Sequence, residues 1–81
     1  MVYVDTPDSR GWSHLIADSV DELHEFASNL GLKREWFQNK PGNPHYDLVR
    51  NLRTKAIKEG ATKVTRQELA TRLNTLYGEV K

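Results

Sequence analysis

The sequence predicts a single mixed α/β domain over residues 1–81, in which a small sheet of about three short strands is covered by three main helices. Three observations favour this class: short β-prone runs, amphipathic stretches of helical period, and capping and glycine signals at their ends. The predicted order of elements is β-β-α-α-β-α. Because each helix carries one apolar stripe, it needs a sheet face against which to bury that stripe.

Three short extended segments are predicted. The first, residues 2–4, ends at a turn cluster containing Pro7, because proline cannot donate to a sheet ladder. The second, residues 12–17, has two faces, as a pleat of period two requires. These faces carry Trp12, His14 and Ile16 on one side and Ser13, Leu15 and Ala17 on the other. The third segment, residues 62–64, precedes the last helix.

Three amphipathic helices are predicted from apolar spacing. They fall near residues 19–30, 48–59 and 66–77. Capping boxes open the first and third at Ser19 and Thr65, and Gly31 and Gly60 stand where the first and second helices should stop. His24 falls on the polar face of the first helix, so the sequence predicts a solvent-facing side chain without a role.

Residues 39–47 are predicted to form a long ordered loop. Prolines 41 and 44 remove backbone donors there and oppose a helix. A connection of this length exceeds the usual median of about 4 to 6 residues, and long ordered loops are often functional. The loop would present His45, Tyr46 and Asp47 side by side, directly before the second helix.

Composition limits the classes of function. The chain has no cysteine, which excludes disulfides and thiolate metal sites and favours a reducing compartment. Its apolar runs, such as residues 15–17, are no longer than four residues, too short for a signal sequence or a membrane span. We therefore expect a cytoplasmic protein with no membrane partner.

Charge is distributed unevenly along the chain. Residues 1–31 carry six acidic side chains and one arginine, a formal charge of −5, whereas residues 32–81 carry eleven Lys or Arg and five acids, a charge of +6. The basic part is either solvated helix surface or a face for an anionic partner. Charge complementarity with a protein partner is a further interpretation.

Residues 64–73 resemble the first helix of a helix-turn-helix DNA-binding motif. That motif needs a second, recognition helix after a short turn, and only three residues follow Gly78. Sequence-specific DNA binding is therefore not expected. Non-specific contact through the basic part stays open.

Polar, titratable residues fall at the predicted ends of elements, where function is often located. The candidate catalytic residues are Asp5, His14, His45 and Asp47, and the candidate ligand-binding residues are Tyr46, Arg50 and Arg53. Two histidines with a carboxylate suit a divalent metal with an open position, or a general base with its orienting acid. No H-E-x-x-H or H-x-H pair occurs, so both interpretations stay open.

Each candidate also has a structural interpretation. Asp47 is placed to cap the second helix, and Asp5 to cap the turn before Pro7. His14 can be a half-buried, hydrogen-bonded histidine, and Tyr46 can pack its ring and offer only its hydroxyl.

The two arginines have two interpretations as well. With the start of the second helix, Arg50 and Arg53 can clamp a phosphate or carboxylate. Alternatively they form exposed ion pairs with Asp47 and Glu59, which contribute little to stability.

Several motifs together resemble a small domain-of-unknown-function family of bacteria and their tailed phages. They are V-Y-V-D at residues 2–5, W-S-H-L-I-A-D at residues 12–18 and H-Y-D-L at residues 45–48. The resemblance covers nearly the whole chain and implies a shared fold. It implies no activity, so no residue role is carried over from it.

Two functions from different classes follow. The first is binding or hydrolysis of a small anionic, phosphate- or nucleotide-like ligand at the His/Asp site. The second is a non-enzymatic protein-interaction module that uses the charge asymmetry. Whether the protein is an enzyme stays open at this level.

Overall fold

A five-stranded mixed sheet forms the centre of the protein in a computed structural model, which describes residues 1–78. The strands are β1 Val2–Val4, β2 Ser13–Ala17, β3 Gln38–Lys40, β4 Asn43–Leu48 and β5 Thr62–Lys63. Their order across the sheet is β3-β4-β2-β1-β5; β1 and β5 are parallel, and the other neighbours are antiparallel. The predicted α/β class is confirmed, with five strands in place of three.

All three predicted helices are present. They are α1 Val20–Leu30, α2 Arg50–Lys58 and α3 Arg66–Tyr77, and a short 3-10 helix spans Arg34–Trp36. The side chains of Ser19 and Thr65 accept hydrogen bonds from the first turns of α1 and α3, as their capping signals predict. No helix within residues 1–78 has the length and apolar character needed to cross a membrane.

The helices cover both faces of the sheet because the strand side chains alternate between them. On one face, α1 and α2 enclose the main core, which includes Val4, Leu15 and Leu48. On the other face, α3 buries its own leucines against Tyr3 and Ile16 of β1 and β2. His14, two residues before Ile16 in β2, lies on this second face.

The loop predicted for residues 39–47 is wrong, because this segment is part of a β-hairpin. Strands β3 and β4 pair from Gln38 opposite His45 to Lys40 opposite Asn43. Pro41 and Gly42 make the turn, and the φ of +70° at Gly42 suits the third position of a type II turn. Pro44 is tolerated because β4 pairs with β2 only from Tyr46 onward, so its missing N–H costs no bond to β2.

Candidate metal centre

The sheet register brings His14, His45 and Asp47 together. In the antiparallel pair of β2 and β4, His14 lies directly opposite Asp47. His45 precedes Asp47 by two residues in the same strand, so both side chains lie on the same face. The centroids of the two imidazole rings are 5.1 Å apart. Two histidines and a carboxylate from two strands therefore converge on one face of the sheet.

Asp5, just after β1, orients His14. Its carboxylate is fully buried and accepts two hydrogen bonds from this residue, from the backbone N–H at 2.6 Å and from the ring Nδ1 at 2.9 Å. The carboxylate accepts through both oxygens, so the ring proton of His14 lies on Nδ1. The lone pair of a neutral His14 is then on Nε2.

His45 is oriented in the same way by the backbone. Its Nδ1 lies 2.8 Å from the carbonyl oxygen of Asn43, which can only accept a hydrogen bond. Nδ1 therefore donates, and the Nε2 of a neutral His45 carries its lone pair. Supporting hydrogen bonds of this kind set the tautomer of metal-binding histidines.

Both Nε2 atoms face the same oxygen of Asp47. The distances to Asp47 Oδ1 are 3.4 Å from His45 Nε2 and 4.0 Å from His14 Nε2. Three electron-rich atoms turned toward one another repel, and a hydrogen-bond donor or a cation between them relieves that repulsion. A metal ion bound by all three atoms would do so, as would an extra proton on one imidazole.

The spacing fits a small divalent ion after modest side-chain rotation. One ligand atom from each of His14, His45 and Asp47 can be chosen so that all three lie within 4.8 Å of one another. Tetrahedral zinc, with bonds of about 2.0 to 2.2 Å, separates its ligand atoms by about 3.4 Å. Three protein ligands leave the fourth position for water or a substrate.

Part of the cluster is buried in the protein, and part of it is open to solvent. His45 and Asp5 are buried, whereas the side chains of His14 and Asp47 are 40% and 38% exposed. The hydrogen bond to Asp5 raises the pKa of His14, against the opposing effect of its partial burial. Because a ligand histidine must be neutral, protons compete with a metal ion at this residue.

A comparison with known families identifies the family of the chain. The family described as "Protein of unknown function (DUF4031)" has a model that matches residues 2–76. The chain belongs to this family. The predicted membership of a domain-of-unknown-function family is therefore confirmed at this level. Searches of curated proteins and of solved structures gave no match for this DUF4031 chain.

The DUF4031 chain does not bring Tyr46 to the cluster. Tyr46 lies between His45 and Asp47 in β4, so its side chain points to the opposite face, where it is 1% exposed. There its hydroxyl lies 2.8 Å from Nδ1 of His24. Its position corresponds to the packing interpretation, in which only the hydroxyl is available.

The prediction that His24 faces solvent is wrong. Its ring packs edge-on against Phe37 at 4.5 Å between centroids, and its Nε2 is buried without a hydrogen-bond partner among residues 1–78. Burial lowers the pKa of His24, and the charge of Arg34 acts in the same direction. The helical pattern missed this contact because Phe37 and Tyr46 come from segments distant in sequence.

Two further expectations concern the start of α2. Asp47 does not cap this helix, because the cap position is Val49, which makes no side-chain capping bond. The hairpin extends β4 to Leu48 and moves the helix start two residues on. Arg53 donates from Nε to the backbone oxygen of Asp5 at 2.9 Å, and Arg50 is exposed in the first turn. Neither arginine forms an ion pair within residues 1–78.

An aromatic cleft adjoins the cluster, and sequence reasoning did not find it. Its lining residues are Trp12, Glu35, Trp36, Gln38, Asp47, Val49 and Leu52. We call it the tryptophan cleft. The sequence places Trp12 at the start of the second predicted strand, 24 residues before Trp36, and only the tertiary structure brings the two side chains to one cleft.

Proposed function

We propose that this chain binds a divalent metal ion of the zinc class through His14, His45 and Asp47 and uses it to hydrolyse a small phosphate ester. The observation that carries the proposal is the convergence of two histidine Nε2 atoms on one carboxylate oxygen, while both Nδ1 atoms are held by other acceptors. This arrangement of ligands and supporting hydrogen bonds is typical of metal sites.

An ion in this position would supply a Lewis acid and an activated water molecule. Hydrolysis of a phosphate ester replaces its P–O bond to the alcohol by a P–O bond to water, and one proton from the water must reach the oxygen of the leaving alcohol. Asp47, whose side chain is 38% exposed and has a second carboxylate oxygen, would carry that proton.

Three features support an anionic ligand. A bound divalent ion would add two positive charges at this place, and Arg53, whose Nε donates to the backbone oxygen of Asp5, adds a third nearby. Helix α2 begins three residues after Asp47 without an acidic residue or a side-chain cap in its first turn. Its free N–H groups and positive dipole end favour a negatively charged group nearby. Arg50 adds a cation at the same place.

Metal binding is the first test. Untagged protein is purified without chelator, its metal content is measured, and the metal-free protein is titrated with Zn²⁺ and Co²⁺. The native protein should bind one ion, and Co²⁺ should give the visible absorption of a tetrahedral site. His14→Gln, His45→Gln and Asp47→Asn should each lose binding.

His24→Gln is the matched control, because it removes the one histidine of the chain that lies outside the cluster. It should bind the metal like the native protein. Equal metal affinity in the native protein and in His45→Gln would overturn the proposed centre. Hydrolysis of nitrophenyl phosphate and of nucleotides is then followed with and without EDTA, and a rate that does not depend on the metal would overturn the proposed reaction.

A protein-interaction module is the second candidate. The observation that favours it is the exposure of Trp12, Trp36 and Val49, which are 41%, 47% and 40% exposed. Exposed apolar patches often mark interfaces. Light scattering over a range of concentrations tests self-association, and a monomer at all concentrations would remove that form of the proposal. Bacterial or phage origin and a cytoplasmic location also stay predictions from the sequence.

A further inference from the structure

We infer that the tryptophan cleft is the subsite for a planar, amino-bearing nucleobase, so that the ester hydrolysed at the metal centre is a nucleotide. The claim that the ester is a nucleotide rests on the proposed function, whereas the claim that the cleft binds a base rests on the cleft alone. The cleft has a volume of about 460 Å³, within the range of about 300 to 1,000 Å³ found for small-molecule sites. It shares Asp47 with the metal centre.

The apolar part of the cleft is suited to a flat ring. Within residues 1–78, four large hydrophobic side chains are exposed: Met1, Trp12, Trp36 and Val49. Three of these four line the cleft. Indole rings that stay open to solvent offer stacking faces, and stacking on aromatic side chains is the general way in which proteins hold unpaired bases. Lys33 Nζ lies 5.7 Å from the ring centroid of Trp36 and helps to position that indole.

The polar part of the cleft selects the kind of ring. Its polar side chains are Glu35, Gln38 and Asp47, and no lysine or arginine lines it. Carboxylates accept hydrogen bonds from exocyclic amino groups, as acidic side chains do from cytosine. Adenine, guanine and cytosine carry such a group. The carboxylate of Glu35, which is not a ligand of the proposed ion, repels a phosphate.

Charge therefore orients the ligand. A phosphate is disfavoured beside Glu35 and favoured at the metal ion, near Arg50 and the start of α2. A nucleotide satisfies both ends at once, with its base in the cleft and its phosphate at the ion. A sugar phosphate without a base would leave the cleft empty, and a free nucleoside would fill only the cleft.

The chain itself provides the reporter for a test. It contains two tryptophans, and both line the cleft, so intrinsic tryptophan fluorescence reports on this site alone. Metal-free protein is titrated with adenosine, guanosine and cytidine, and with ribose 5-phosphate as the control ligand. Each nucleoside should change the fluorescence to saturation, and ribose 5-phosphate should not.

Three variants sharpen the test. Trp36→Leu and Trp12→Leu should each weaken nucleoside binding at least tenfold, read from the remaining tryptophan, and their exposed positions should leave the circular dichroism unchanged. Glu35→Gln should weaken binding of the amino-bearing nucleosides. Asp21→Asn removes an exposed carboxylate on α1. It is the matched control and should bind like the native protein.

The outcomes separate the base subsite from the metal centre. Nucleoside binding that persists in His45→Gln and in metal-free protein supports the cleft even if the metal proposal fails. No fluorescence change with any nucleoside overturns the cleft, even if zinc binds and nitrophenyl phosphate is hydrolysed. A fluorescence shift that follows protein concentration, with self-association in the ultracentrifuge, assigns the cleft to a second copy of the chain and overturns the inference.

Discussion

His14 lies directly opposite Asp47 across the β2–β4 ladder, and its ring Nδ1 is held by the buried carboxylate of Asp5. One imidazole thus joins the end of β1 to the solvent-facing carboxylate of β4. A change at either end of this chain of contacts should affect the other end through the orientation of the ring.

Asp5→Asn should weaken zinc binding by about 10- to 100-fold, as loss of a supporting acceptor commonly does. The amide turns one N–H donor toward the donors of His14, so we also expect a loss of about 1 to 3 kcal/mol in the free energy of unfolding. Competition with a chromophoric chelator measures the first effect and urea denaturation the second. Asp21→Asn is the control. Native zinc affinity in a folded Asp5→Asn protein would contradict a positioning role for this residue.

Asp47→Ala should abolish metal binding and change the free energy of unfolding by less than about 0.5 kcal/mol, as substitutions at partly exposed sites usually do. The reason is that α2 is capped at Val49 and receives no bond from Asp47. Thr65→Ala provides the contrast, because it removes a real capping bond of α3 and should cost about 1 kcal/mol. Equal losses in the two variants would restore a capping role for Asp47.

Tyr46→Phe should lower the free energy of unfolding by about 1 to 2 kcal/mol and leave zinc affinity unchanged. It removes the hydroxyl that bonds to His24 in a buried environment, and a buried polar atom without a partner is costly. The metal centre is on the other face of the sheet. A loss of zinc affinity in a stable Tyr46→Phe protein would place the phenol in the centre after all.

The stability of the protein should depend on the protonation of His24. Burial lowers its pKa from the usual 6.5, Arg34 lowers it further, and Asp21 opposes both. Below pH 6.5 the unfolded chain binds a proton that the folded chain refuses, so stability falls as the pH decreases from 6.5 toward the folded pKa. His14 acts with the opposite sign, because its raised pKa adds stability at low pH that is lost as the pH rises.

The two effects are separated by comparison with His24→Phe. Between about pH 7.5 and 5.5, the native protein should lose more free energy of unfolding than this variant does, as urea denaturation would show. Parallel pH profiles would mean that His24 titrates in the folded protein as it does in the unfolded chain. Proton NMR of the His24 ring provides a direct check.

Gly42→Ala should destabilise the protein by about 1 kcal/mol, because alanine is strained at the positive φ of this turn. The added Cβ would meet the backbone oxygen of Tyr77 at 3.6 Å, an ordinary contact, so the cost comes from the backbone conformation. Gly42→Asn should cost less, since asparagine tolerates the left-handed region. Equal stability of all three proteins would argue against the hairpin turn.

Local chemistry was sufficient to predict the helices. The caps of α1 and α3 act on neighbours within one turn, so a few consecutive residues are enough to recognise them. They are Ser19 and Thr65 at the starts and Gly31 at the end of α1. The hairpin also has local signals, in Pro41-Gly42 and in the alternation of residues 45–48. Pro41 and Pro44 obscure these signals, because proline is usually found only at edges, ends or bulges of a strand.

The candidate site depends on both the local sequence and the tertiary structure. The sequence by itself determined that His45 and Asp47 share a face once residues 43–48 are a strand, since side chains alternate along any strand. Only the tertiary structure decided that His14 lies opposite Asp47, that Asp5 holds His14, and that Trp12 and Trp36 border one cleft. Strand register and helix packing join residues far apart in the chain, and a shift of one residue would turn every side chain of the strand to the other face.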